Sequence, residues 1–237
     1  MIRSPLHVGT AFHLGPIPIS TPVATSWGIM GFLVIASILA TRRLALRPGA
    51  MQAAAELVVD MLDSLARDTM RVDPAPYRAL FGGIFLFILF ANWSALIPGV
   101  EPPTARLETD AALALVVFAA TIYHGLRTQG PLGYLKTFAE PSLFMAPLNL
   151  VEQITRTFSL IVRLFGNVMS GVFVVGIVLS LAGLLVPIPL MALDLLTGAV
   201  QAYIFTVLAM VFTAAAIAPD EAARPENASA GAGHGPD

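Results

Sequence analysis

The sequence predicts an all-α integral membrane protein. Five transmembrane helices and one membrane-surface amphipathic helix are expected, the last two long helices forming a tilted hairpin. Three observations carry this. Of 237 residues, 57% are hydrophobic and only 12% charged, against about 45–50% and about 25% in soluble domains. The apolar residues gather into runs long enough for a hydrocarbon layer that needs about 20 residues of helix. The few polar residues inside the longest run recur on one helical face.

Those numbers exclude a soluble enzyme, and a net charge of −2 offers no basic surface for nucleic acid. With no cysteine in the chain, disulfides, thiolate metal sites and thiol nucleophiles are excluded. His7, His13, His124 and His234 show no metal-ligand spacing. No metal and no cofactor are expected.

Residues 1–23 form an N-terminal segment that carries Arg3 but no continuous apolar core, so no cleavable signal peptide is expected. Residues 24–218 form the transmembrane domain. Its first span, about 24–41, stops at Arg42, Arg43 and Arg47. Residues 49–71 predict a surface helix: Leu57, Met61 and Leu65 recur at helical spacing among Asp60, Asp63, Arg67 and Asp68. Pro74 and Pro76 end it. The second span, about 79–97, is closed by Pro98-Gly99. A polar loop with Glu101, Arg106, Glu108 and Asp110 leads to the third span, about 111–126. Residues 127–141 read as a connector broken by glycine and proline. Residues 144–218 read as two long helices joined around 183–189. The tail, 219–237, is rich in Ala, Gly, Pro and acidic residues and is expected to be disordered.

Basic residues favour cytoplasmic loops. Arg42, Arg43 and Arg47, then Arg67, Arg71 and Arg78, then Arg127 and Lys136, alternate correctly if all are cytoplasmic. Five spans then place the N-terminus in the periplasm and the C-terminus in the cytoplasm.

The chemistry concentrates in the hairpin. Its acidic and basic residues are only Glu152, Arg156, Arg163 and Asp194. Ionisable groups at membrane depth cost about 2.5–3.5 kcal/mol each on the insertion scale and by default mark an ion or substrate path. At 100° per residue, Asn149, Glu152, Arg156, Ser159, Asn167 and Ser170 all lie within roughly 40° of Arg163. The opposite face holds Ile154, Ile161, Phe165 and Val172. Pro147 suits the first turn. From there to Leu181 the helix would run about 52 Å, through a hydrocarbon layer of about 30 Å. It must tilt or protrude. On the last helix Asp194 and Gln201 are seven apart and share a face, with Gly198 between them. Glu152 and Arg156 can also pair with each other at i, i+4. Arg163 has no acid at i±3 or i±4, so its partner must come from elsewhere, with Asp194 and another chain as candidates.

Several of these segments resemble one family. Arg163-Leu164-Phe165-Gly166-Asn167 is similar to the RLFGN motif of subunit a of F-type ATP synthases. Gln201-Ala202-Tyr203-Ile204-Phe205 resembles the QAFIF-type motif of that family's last helix, and Asn92–Gly99 resembles its NLLGLIPG-type span end. Pro102–Ala105 and Ala112–Leu115 resemble its PTADLNTTLALAL region. Order and spacing agree over about 79–217.

The resemblance implies a stator subunit beside a rotating ring of c subunits, each with a membrane-embedded carboxylate. Two aqueous half-channels would reach the ring from opposite sides, carrying H⁺ or Na⁺. Arg163 would separate them and release the cation from each passing carboxylate. An arginine suits this role because it keeps its charge and relays no proton. Asn167 and Ser159 would hold water or guide protons, and Gln201 would sit near the arginine. The family has an acid or His nine positions after that arginine, where this chain has Val172. Asp194 falls where the family often has His or an acid, and takes the titratable role of the periplasmic half-channel. Glu152 matches a family acid and is placed in the cytoplasmic one. Arg106 and Glu108 replace the Asp and Asn of the PTADLN segment. Implied partners are the c-subunit ring, the b-subunit peripheral stalk docking on 49–71, and membrane lipid. The implied location is a bacterial inner membrane, and ATP chemistry would belong to other subunits. The rivals are a self-contained secondary transporter and a structural assembly subunit.

Overall fold

The computed structural model describes residues 10–14, 17–42, 49–97, 100–139, 146–183 and 186–217. The expected disordered tail and Arg43, Arg47, Pro98 and Gly99 lie outside the described residues. Six helices follow a short antiparallel ribbon: β1 (Thr10–Leu14), β2 (Ile17–Ser20), α1 (Thr21–Thr41), α2 (Ala50–Met70), α3 (Arg78–Trp93), α4 (Leu107–Ala139), α5 (Ala146–Ala182) and α6 (Pro187–Ile217). Beyond the ribbon the regular structure described is helical, with single 3₁₀ turns at Ser94–Leu96 and Pro103–Ala105. Five helices are long and apolar enough to cross a membrane: α1, α3 with its 3₁₀ extension, α4 as far as Pro131, α5 and α6.

α6 is the central helix and packs on α2, α3, α4 and α5. Its buried stripe, Gln201, Ala202, Phe205, Thr206, Ala209, Met210 and Thr213, combines small and polar residues with two large side chains. Small residues allow close helix approach where lipid offers no hydrophobic drive for association. α3 meets the bundle through Phe81, Ile84, Phe85 and Ile88, at helical spacing. α1 lies outside it, resting on α3 through Phe32 and Phe90, whose rings stand 5.4 Å apart edge to face. Val34, Ile35 and Ile38 of α1 are exposed, as suits side chains that meet lipid.

Two expectations shift. The inward stripe of α2 is Leu62, Ala66 and Met70, with Leu57 and Met61 exposed. The inward face is set by packing on α3 and α6, and carries Asp63 along with the apolar residues. The connector after the third span is mostly helical. α4 runs on to Gln129, breaks at Gly130 (φ 74°, ψ 165°) and resumes from Pro131. Proline lacks the N–H a helix interior needs and drives the preceding residue out of the α region, and only glycine takes that φ cheaply. Gly183 (φ 72°) follows α5 in the same left-handed region, the usual glycine helix stop.

Candidate ion path along the hairpin

α5 has 37 residues, about 55 Å of helix. Its polar stripe is where the sequence placed it, but its surroundings differ. The packed face is Leu160, Leu164 and Val168, centred roughly 100° from Arg163. Val151, Phe158, Val162 and Phe173 on the other flank are exposed. The stripe is therefore the seam between the packed face and an open apolar face. The packed face adjoins the stripe, and α5 packs on both α4 and α6.

Toward the start of α5 the seam opens into a groove of about 590 Å³. Glu152, Thr155, Arg156, Ser159 and Arg163 line it with Leu208 and Phe212 of α6. Three predicted site residues, Glu152, Ser159 and Arg163, thus share one space. Glu152 is paired with Arg156 across one helical turn. The Arg156 guanidinium also lies 5.4 Å from the centre of the Phe212 ring, a cation–π contact. Arg163 is exposed at the groove's end and forms no hydrogen bond or ion pair among the described residues. Asp194 is not its partner within the chain.

Asp194 lies in a second space, toward the other end of the hairpin. This cavity, of about 200 Å³, is lined by Val172 and Gly176 of α5, Met191 and Asp194 of α6, and Glu101 and Pro102 of the preceding loop. Gly171 lets the carboxylate approach α5: a Cβ built there would stand 2.8 Å from Asp194 Cγ and 3.0 Å from Oδ2. Glu101 is held by Arg106 at 3.1 Å, so the loop arginine answers a loop acid. Val172 and Asp194 thus line one cavity from two helices.

Between the two spaces the interior is polar. Gln201 is buried and Asn167 half-buried, and the side-chain nitrogens Nε2 and Nδ2 have no hydrogen-bond partner. Asp110 has no exposed surface, and neither carboxylate oxygen has a partner. Sequence reasoning missed Asp110. It sits in the first turn of α4, where an acid normally faces water and the helix dipole. The available signal was its spacing: Asp110, Ala114, Val117 and Thr121 fall on one face of α4, and all four are buried.

A polar clasp fixes the bundle beside this interior. Asn92 Nδ2 donates to the Gly198 carbonyl at 2.9 Å, and the Thr104 hydroxyl donates to Asn92 Oδ1 at 2.7 Å. The clasp joins α3, α6 and the 3₁₀ turn before α4. Among the described residues no group of three or more His, Cys, Asp or Glu side chains could hold a metal ion.

A family model described as ATP synthase A chain matches residues 23–214. The chain is 52% identical over 217 residues to "ATP synthase subunit a 2" of a Bradyrhizobium species, covering 92% of this chain and 97% of the relative. It is 45% identical over 216 residues to "ATP synthase subunit a 2" of Pelobacter propionicus, covering 90% and 93%. It is 43% identical over 204 residues to "ATP synthase subunit a" of Albidiferax ferrireducens, covering 85% and 88%.

Proposed function

From the premise that the chain belongs to the ATP synthase A chain family, we propose that it carries the cation across the membrane through two half-channels, with Arg163 as the barrier between them. The observation that carries this reading is the arrangement along α5. A groove ends at Arg163 from one side, and the Asp194 cavity lies at Val172 and Gly176 on the other. A cation can enter either space but meets the Arg163 charge before it can cross directly. An exposed, unpaired arginine facing lipid would cost about 2.5–3.5 kcal/mol on the insertion scale. The same residue facing a ring of carboxylates has a partner. The open apolar flank of α5 beside it, with Phe158, Val162 and Phe173, is the surface on which the c-ring would run.

In this reading Glu152 and Ser159 belong to the cytoplasmic half-channel and Asp194 to the periplasmic one. Asn167 and Gln201 stand between them. α2 lies at the cytoplasmic membrane surface, with exposed Leu57 and Met61 available to lipid or to the b-subunit stalk. The N-terminus is periplasmic and the C-terminus cytoplasmic. A self-contained transporter would enclose its charged site among its own helices, whereas Glu152 and Arg163 are exposed. A purely structural subunit leaves both spaces without purpose.

The test is ATP-driven pumping in membrane vesicles holding the whole complex, wild type against Arg163→Ala, with a sodium-dependence control and an assembly check. Loss of pumping in an assembled variant is expected. Unimpaired proton and sodium transport would return Arg163 to a structural role.

A further inference from the structure

Among the described residues, the buried side-chain nitrogens and oxygens that lack any hydrogen bond belong to three residues only: Asp110, Asn167 and Gln201. They lie on three different helices, and the helix register brings them to one level. Thr121 of α4 meets Thr213 of α6 at 3.3 Å, and Gln129 reaches the Ala216 carbonyl at 3.0 Å, so α4 and α6 run in the same direction. Asp110, Ala114, Val117 and Thr121 then face Ala202, Thr206, Ala209 and Thr213, residue spacing matching residue spacing. Asp110 falls at the height of Gln201 and Ala202.

α5 runs the other way and is pinned to α6 twice, by Arg156 against Phe212 and by Gly171 against Asp194. Interpolation between these pins sets Gln201 beside Leu164–Asn167. The α4–α5 contact agrees: Ala114 and Val117 share a small space with Thr157 and Leu160, so Asp110, one turn earlier, is level with Leu164. The three orphaned groups thus form one layer immediately behind Arg163. The nearest charged groups along the same helices are Arg163 on α5, Asp194 on α6 and Glu108 on α4, with Arg106 just before α4.

We propose that Asp110, Asn167 and Gln201 form a hydrated cation-transfer station between the Asp194 cavity and the Arg163 face, with the Asp110 carboxyl as its acidic group. The inference rests on the half-channel reading above and names a residue that reading does not supply. Two amide nitrogens with N–H groups to donate and two carboxylate oxygens with lone pairs to offer are complementary, yet do not meet one another. Water bridges such groups when a site is polar and offers partners on several sides. A monovalent cation passing from the Asp194 cavity is held by an Asp110 oxygen while the amides hold its water. It then leaves toward the ring carboxylate facing Arg163, and Asp110 can take up the next. For a proton, an oxygen–hydrogen bond forms at Asp110 as one breaks in a hydrated proton, and the reverse follows on departure. For sodium, no covalent bond changes.

The experiment uses the assembled complex in native membranes. The chain has no cysteine, so Asp110→Cys places a single thiol in this subunit. If the layer is hydrated, that thiol reacts with a small cationic methanethiosulfonate at least about tenfold faster than the thiol of Ala114→Cys, one turn deeper and equally buried. In parallel, Asp110→Asn should lower passive cation conductance of membranes stripped of the ATP-hydrolysing sector by about tenfold or more, while Asp110→Glu retains most of it. Running the assay with proton and sodium gradients separately identifies the ion. Wild-type conductance in an assembled Asp110→Asn complex overturns the proposal. Should that variant fail to assemble, the thiol decides, and an Asp110→Cys thiol as slow as its buried control overturns it. Arg163→Ala is run beside them. If it abolishes ATP-driven pumping while Asp110→Asn conducts normally, only the station falls; if both behave as wild type, the half-channel reading falls too.

Discussion

Gly171 of α5 lies directly against the carboxylate of Asp194 on α6, so close that the smallest added side chain would stand 2.8 Å from Asp194 Cγ. The glycine is therefore part of how the acid is placed. Gly171→Ala should push Asp194 from its cavity and destabilise the hairpin by about 1–3 kcal/mol, the usual range for overpacking. The same substitution in an Asp194→Ala background should cost much less, because the atoms it strikes are gone. Thermal denaturation of the purified complex across the four members of that cycle measures the difference. Equal costs in both backgrounds would mean that the contact does not position the acid.

The clasp at Asn92 makes a similar prediction one turn further along α6. A Cβ at Gly198 would lie 2.9 Å from the Cβ of Asn92, in backbone-close packing that cannot swing aside. Gly198→Ala should thus be severe. Thr104→Val keeps the shape and removes one buried hydrogen bond, for about 1 kcal/mol. Asn92→Leu should cost more than Thr104→Val, since it removes both hydrogen bonds of the clasp and leaves the Thr104 hydroxyl unpaired in the interior. Protease resistance of the membrane-embedded chain ranks the three. A Thr104→Val as damaging as Asn92→Leu would contradict the ordering.

How much of this was legible in the sequence differs by residue. Arg163, Glu152 and Ser159 could be placed because one helix and its 100° step fix their mutual geometry. Asp194 and Gln201 could be set on one face of α6 by the same step, whereas the cavity that Asp194 shares with Val172 depends on how α5 and α6 pack. The burial of Asp110 could not be read, since a carboxylate in a first helical turn is ordinarily solvated, and only the packing of neighbouring elements against α4 buries it. The inward phase of α2 was not legible for a related reason. Both Leu57–Met61–Leu65 and Leu62–Ala66–Met70 are sensible stripes, and the choice depends on where α3 and α6 lie. Asp63 explains how a carboxylate tolerates the inward side: Arg78, fifteen residues on at the start of α3, binds it with two nitrogens.

That pairing carries a pH dependence. The hydrogen bonds from Arg78 hold the Asp63 carboxyl below the usual carboxylate range, outweighing its desolvation. A carboxyl depressed in the folded state stabilises fully above its unfolded value of about 3.9, and that contribution disappears as pH falls through the lower folded value. Attachment of α2 should therefore loosen only in strong acid. Asp63→Asn should loosen it at neutral pH and remove the acid-dependent part. The effect is modest, because Arg78 is substantially exposed. Hydrogen exchange across 50–70 at neutral and acidic pH reads it out, and an acid response unchanged in Asp63→Asn would assign it to another group.

Arginine at position 163 should not be replaceable by lysine. Both are cations in water, but a desolvated ammonium gives up its proton far more readily than a guanidinium. A lysine beside the ring carboxylates would bring a group that can itself relay protons, and offers one point charge where arginine offers a planar fork. Arg163→Lys should assemble and still lose coupled pumping by at least about tenfold. Efficient pumping with lysine would show that any cation suffices and that retention of the proton is not the essential property.

The acid of the second cavity should be transposable. Val172 and Asp194 line the same space of about 200 Å³ from two helices, so a carboxylate arriving from either side reaches the same cavity. Asp194→Ala should lose most ATP-driven pumping. Adding Val172→Glu should restore a substantial part, because the longer side chain reaches into the room left by the aspartate and puts back one titratable charge. Val172→Glu alone should do worse than the double variant: two acids sharing one small cavity repel, and one of them must stay protonated. Vesicle acidification by the three assembled complexes separates these cases. If the double variant is as inactive as Asp194→Ala, the position of the acid on α6 matters and not merely its presence in the cavity. If Asp194→Ala itself pumps normally, the cavity carboxylate is not on the path.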